Sequence, residues 1–185
     1  MSALVKPMTQ SICRLAVLVF GLVATVTAQA HVTGALHAHA FTDGLLHPIT
    51  GLDHLITALG MGWLAVKHAR PAISRGAFLG TIALGLWLAG QWVIPASIID
   101  TAILLSLGCI GLVLLRKPVA MQPALMIMAP LFGLLYGYAH GSALPAGQAA
   151  YGFVAGMLVT TVSLLALGGY AASLYGKNRQ TAGLA

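Results

Sequence analysis

Polar residues interrupt a mostly apolar chain only at short intervals, and the apolar runs between them are about as long as a bilayer is thick. The runs cover roughly Leu45 to Val66, Gly76 to Ile94, Ile98 to Leu115, Met121 to Ala139 and Gln148 to Tyr175. A helix needs about 20 predominantly apolar residues to cross the hydrocarbon core. The pattern therefore predicts an all-α membrane protein, a compact bundle of about five transmembrane helices. The last run is long enough to tilt or to project beyond the bilayer.

An earlier apolar stretch has a different character. Residues 1–30 contain a basic region at Lys6 and Arg14, an apolar region from Leu15 to Val26, and Ala28-Gln29-Ala30 with small residues at both positions a signal peptidase reads. The expected organisation is a cleavable signal peptide over 1–30, a histidine-containing external segment over 31–44, the helical bundle over 45–176 and a cytoplasmic tail over 177–185. An uncut leader would instead make a sixth helix with the same orientation.

Charge then orients the spans. The chain has 185 residues, of which 59% are hydrophobic and 6% charged, against about 25% charged in soluble domains. The net charge of +6 arises from bases beside the apolar runs: Lys67, Arg70 and Arg75, then Arg116 and Lys117, then Lys177 and Arg179. Positive loops stay on the cytoplasmic side. This patterning accounts for the bases without nucleic acid, which is excluded as a partner. The mature N-terminus is expected on the periplasmic face of a bacterial-type inner membrane, and the C-terminus in the cytoplasm.

What insertion does not require is the other set of polar residues. The acids are Asp43, Asp53 and Asp100, and with His31, His37, His39, His47, His54 and His140 they fall on the external side, while His68 lies among the bases. Cleavage after Ala30 would make His31 the terminal residue, whose amine and imidazole together can chelate a metal such as nickel or copper. His37 and His39 follow as further collectors. Asp100 is expected to cap the third span, Cys109 to fill a packing gap, and the tryptophans Trp63, Trp87 and Trp92 to sit in packing or at the interface.

The densest chemistry is His47-Pro48-Ile49-Thr50-Gly51-Leu52-Asp53-His54. Pro48 suits a first helical turn, where its missing amide is not needed. On a straight helix His47, His54 and Met61 share one face, but seven residues rise about 10 Å, too far for two imidazoles to hold one ion. Either the histidines are successive stations, or the segment before Gly51 unwinds and folds back. Asp53 is positioned to bind directly or to orient an imidazole. An ionisable pair inside a span is costly and commonly functional. Gly133, Gly137 and Gly141, and likewise Gly152 and Gly156, recur every fourth residue, as close helix packing within one bundle requires.

The stretch His-Pro-x-x-Gly-x-Asp-His followed by an apolar helix resembles the signature of the HupE/UreJ family of nickel and cobalt permeases, whose members are associated with nickel supply to hydrogenase or urease. The resemblance covers most of the mature chain and implies metal-contact roles for His47, Asp53 and His54. A second family pattern, close to His-Gly-His-Ala-His-Gly-x-Glu-x-Pro, corresponds here to Tyr136-Gly137-Tyr138-Ala139-His140-Gly141-Ser142-Ala143-Leu144-Pro145. Two histidines have become tyrosines and the glutamate Ala143, and a family histidine in the last helix is replaced by Leu165. His140 remains and can join the site from across the bundle.

The implied function is an inner-membrane permease or channel for a divalent transition metal, nickel first and cobalt second, that supplies metalloenzyme maturation. The metal set is His47, Asp53, His54, His140 and Met61, fed by His31, His37 and His39. The divalent ion is cargo, and no tightly bound cofactor is expected. With no Walker motif, the membrane potential supplies about 4.6 kcal/mol for a divalent ion at 100 mV. The alternative is a non-transporting metal-binding accessory or assembly subunit of a membrane metalloenzyme complex. Homo-oligomer formation is left open. Catalysis is not expected: Ser142 near His140 lacks a nucleophile elbow, and there is no helical zinc-protease motif.

Overall fold

A computed structural model describes residues 40–67, 69–114, 122–144, 147 and 149–182, with side chains described to residue 176. The leader, His31, His37, His39, His68 and the Arg116-Lys117 loop lie outside the described residues. Six helices make up the described chain: α1 (Ala40–Thr50), α2 (Leu52–Lys67), α3 (Pro71–Ala89), α4 (Ala96–Leu114), α5 (Gln122–Ser142) and α6 (Ala149–Ala182). Four are long and apolar enough to cross a bilayer, or five if the bent pair α1–α2 counts as one span. The protein is a multi-pass, all-α membrane bundle.

The first span is not straight. α1 and α2 meet at Gly51 with a bend of 74°. Pro48 lies in the last turn of α1, not the first turn of a span as its chemistry suggested, because helix formation begins at Ala40, inside the stretch expected to be an external segment. A late proline lacks an amide and crowds the preceding turn, and glycine tolerates the sharp junction that follows. The break is still hydrogen-bonded: Gly51 N–H donates to the His47 carbonyl at 2.9 Å and Leu55 N–H to the Gly51 carbonyl at 2.9 Å. Thr50 Oγ1 donates to the Leu46 carbonyl at 3.1 Å, a back-bond within the last turn of α1 of the kind that bends helices.

The other boundaries follow local chemistry. Pro71 occupies the first turn of α3, where its lack of an amide costs nothing. α4 begins at Ala96, four residues before Asp100, so Asp100 is an exposed residue of the helix body and not its cap. The Pro95 carbonyl instead accepts from Ile98 and Ile99. α6 carries an apolar stretch from Ala149 to Gly176, about 42 Å of helix against about 30 Å of hydrocarbon. It continues as helix through Ala182, past the expected start of the tail.

Helix pairs close on glycine. A Cβ on Gly85, Gly133 or Gly137 would overlap backbone of the opposite member of the α3–α5 pair, at Leu134, Phe78 and Ile82 respectively. Gly62 and Gly168 make the same approach between α2 and α6, against the carbonyls of Leu165 and Leu59, and Gly44 and Gly156 join α1 to α6. The four-residue glycine spacing is thus used within the bundle, where lipid gives no hydrophobic drive and contact depends on close approach. Large apolar side chains such as Leu105, Met126, Ile127 and Tyr170 are more than 60% exposed, the outward face expected toward lipid. Cys109 is on that exposed surface, not in the packing gap expected of it.

Candidate metal centre

Ends of several helices converge at one end of the bundle. The α1–α2 bend supplies His47, Asp53 and His54, the last turns of α5 supply Tyr136, Tyr138 and His140, and the start of α6 supplies Phe153. Of the described bases, Lys67 ends α2, Arg70 precedes α3 and Arg75 lies in its second turn, all at the opposite ends of these helices, so the segregation of acids and histidines from bases holds for these residues.

The bend resolves the spacing problem left by the sequence. His47 and His54 would be about 10 Å apart along a straight helix, yet their ring centroids are 5.0 Å apart. His140 stands across from both, 4.9 Å from His47 and 4.3 Å from His54, each pair edge to face. One nitrogen from each of the three imidazoles lies within 4.8 Å of the other two. Two nitrogens on opposite sides of one ion, each about 2.1 Å from it, would be about 4.2 Å apart. Whatever closure the imidazoles need to share an ion is therefore a side-chain adjustment and not a refolding.

Hydrogen bonding selects which nitrogens face inward. His140 Nδ1 is 2.6 Å from the Tyr136 carbonyl oxygen. A carbonyl can only accept, so Nδ1 carries the proton and Nε2 the lone pair of the neutral ring. His54 Nδ1 lies 2.8 Å from Asp53 Oδ1, and its Nε2 is buried with no hydrogen-bond partner among the described residues. Asp53 is itself buried and sits in the first turn of α2, where the helix dipole favours a negative charge. A carboxylate behind a ring orients that ring and raises its basicity. Gly51 makes the arrangement sterically feasible, since a Cβ there would lie 2.9 Å from His54 Nδ1 and 3.2 Å from Asp53 Oδ1.

Below the imidazoles is a small cavity lined by His54, Thr57, Ala58, Phe78, Ile82, Tyr136, His140, Met157 and Thr161. The cavity volume is about 20 Å³, room for about one water. Met61 is buried in the apolar core and is not among these lining residues; the thioether in the lining comes from Met157. Thr57, Met157 and Thr161 were not singled out from sequence, and Tyr136 was marked only as the replacement of a family histidine. Their signal was spacing: Thr57 is three residues after His54, Tyr136 four before His140, and Phe153, Met157 and Thr161 recur every four along α6.

The two tyrosines that replace histidines in the second pattern have other employment. Tyr136 Oη is 2.5 Å from Thr57 Oγ1 and donates to the Asp53 backbone carbonyl at 3.3 Å, tying α5 to the first turns of α2. Tyr138 Oη accepts from the Ile94 amide at 2.7 Å and donates to the Trp92 carbonyl at 2.8 Å, fixing the turn between α3 and α4. Leu165 is buried one turn beyond Thr161, its carbonyl against Gly62.

A profile of the HupE / UreJ proteins matches residues 15–185, nearly the whole chain. The chain belongs to the HupE/UreJ family. Among curated relatives, Protein HupE of Rhizobium leguminosarum bv. viciae is 35% identical over 156 residues, covering 83% of this chain and 80% of that protein. No solved structure matches. In this HupE/UreJ chain the first histidine motif sits at a broken helix, and the surviving histidine of the second motif faces it.

Proposed function

We propose that this protein is an inner-membrane permease or channel for a divalent transition metal, nickel first and cobalt second, serving metalloenzyme maturation. The observation that carries the reading is the meeting of His47, His54 and His140, from three different helices, with one nitrogen of each within 4.8 Å of the others. Imidazole suits nickel and its neighbours in the first transition row. Three neutral imidazoles leave the remaining coordination positions to water, so the ion is held without being fully dehydrated and can leave again.

In this account His31, His37 and His39 collect the ion at the external face and pass it to His47, the outermost member of the triad. His54 and His140 take it at the mouth of the cavity, with Asp53 orienting His54 and offsetting part of the ion's charge. Thr57, Thr161 and the Met157 thioether give softer, weaker contacts beneath, a gradient that favours onward movement over trapping. Met61, one layer deeper in the apolar core, would meet the ion only if that core opens. The bilayer potential drives a divalent cation inward.

A second reading is favoured by one observation. Phe78 in the cavity wall and Met61, Leu64 and Leu165 in the adjoining core are packed closed at 2–4% exposure, as suits a metal-binding accessory or assembly subunit that holds an ion without passing it. Radioactive nickel uptake by proteoliposomes separates the two. The permease reading predicts time-dependent uptake in wild type and its loss in the His54→Ala, Asp53→Ala double variant. Uptake indistinguishable between the two would contradict it, whereas binding without uptake would support the accessory reading.

A further inference from the structure

The end of the bundle opposite the histidines holds an arginine whose charge nothing described answers. Arg75, in the second turn of α3, reaches across to the α2–α6 pair. A Cβ on Gly169 would overlap its Nη2, and would also lie 3.2 Å from Val66 Cγ2 and 3.3 Å from the Gly62 carbonyl oxygen. The guanidinium therefore occupies the space that a side chain at Gly169 would take. Arg75 is half-buried, its Nε is fully buried, and no hydrogen bond or ion pair engages it among the described residues.

The chain cannot supply a carboxylate side chain there. Its three acids are Asp43, Asp53 and Asp100. Asp43 is in the first turn of α1, Asp53 in the first turn of α2 and Asp100 near the start of α4, all toward the histidine end. From Phe153, beside His47, to Gly169 is about 24 Å along α6, most of the bilayer's hydrocarbon thickness. α6 then runs about 20 Å further to Ala182. A half-buried guanidinium without a counter-charge is costly, and a planar fork of donors fits two oxygens of a phosphate. Lys67 and Arg70, at the adjoining ends of α2 and α3, add positive potential. The Trp63 and Tyr175 rings beside the cleft, 5.6 Å apart, are the pair expected at headgroup depth.

We propose that Arg75, in the cleft between Gly62, Val66 and Gly169, is a binding site for a phosphate oxyanion, supplied by the headgroup of an anionic phospholipid in the cytoplasmic leaflet. The test is native mass spectrometry of the full-length protein in detergent, titrated with equal amounts of phosphatidylglycerol and phosphatidylcholine. Wild type should retain phosphatidylglycerol in preference by about fivefold, the contribution of one basic residue near an anionic surface. Arg75→Gln should abolish the preference and Arg75→Lys restore part of it, while Arg70→Gln, a residue exposed outside the cleft, leaves most of it. Gly169→Ala keeps the charge but narrows the cleft, and should weaken retention as well. A second arm adds inorganic phosphate: displacement of the lipid by millimolar phosphate would support the same oxyanion site with a soluble anion as its source. Wild type without preference for phosphatidylglycerol and without phosphate binding overturns the proposal, and so does a preference unchanged in Arg75→Gln.

Discussion

Replacing Gly51 with alanine tests the metal centre through its geometry without removing any proposed ligand. The added Cβ would stand 2.9 Å from His54 Nδ1, 3.2 Å from Asp53 Oδ1 and 3.3 Å from the His47 carbonyl oxygen, all short of ordinary van der Waals contact. Overpacking of this kind costs about 1–3 kcal/mol. In the metal-free protein the ring of His54 can swing away and relieve the strain, so the cost falls on the metal-bound state. An apparent nickel affinity lower by about 5- to 150-fold follows from 1–3 kcal/mol. Alanine also favours helix over glycine by up to about 1 kcal/mol, which biases the break toward a straight helix and carries His47 away from His54. The assay is isothermal titration of nickel into purified protein in detergent, with melting temperature measured alongside. Affinity within twofold of wild type in a normally folded Gly51→Ala protein would refute the proposed geometry.

Other perturbations separate the parts of the structure. Asp53→Asn keeps the shape but removes the carboxylate beside His54 Nδ1, and should lower nickel affinity about 10- to 100-fold in the same titration. Lowering the pH from about 7.5 to 5.5 should weaken nickel binding reversibly, because protons compete for the imidazoles, and the pH slope should fall in His140→Ala. Tyr136→Phe strips the hydroxyl shared with Thr57 and the Asp53 carbonyl. It should cost about 0.5–1.5 kcal/mol of stability, read by denaturation in mixed micelles, with a smaller effect on metal affinity than Asp53→Asn. Gly137→Val would drive a side chain into the Ile82 carbonyl of the facing helix, and should abolish monodisperse protein on size exclusion.

Hydropathy and glycine spacing made the bundle legible, because spanning segments and close helix contacts each impose a simple rule on sequence. The metal centre was legible in its residues but not in its shape. Regular helix geometry separates His47 from His54, and the choice between stations and a folded-back segment needed the angle at Gly51. Pro48 misled for a related reason. A proline is equally compatible with the first turn of one helix and the broken last turn of another, and only Ala40 to Gly44 being helical decides between them. Asp100 read as a cap because the apolar run begins near it, whereas α4 starts after Pro95, whose carbonyl takes the first amides. Met61 shares a helical face with His54, but the bundle turns that position into the core and brings Met157 of α6 to the cavity. Contacts between helices distant in sequence, such as Tyr136 with Thr57, leave no local pattern at all.

The most direct test of the central claim is X-ray absorption at the nickel edge of the loaded full-length protein, compared with His47→Ala, His54→Ala and His140→Ala. The account predicts about three imidazole nitrogens near 2.1 Å in wild type and one fewer in each variant. A nickel shell of oxygen alone, or an imidazole count unmoved by all three substitutions, would contradict it.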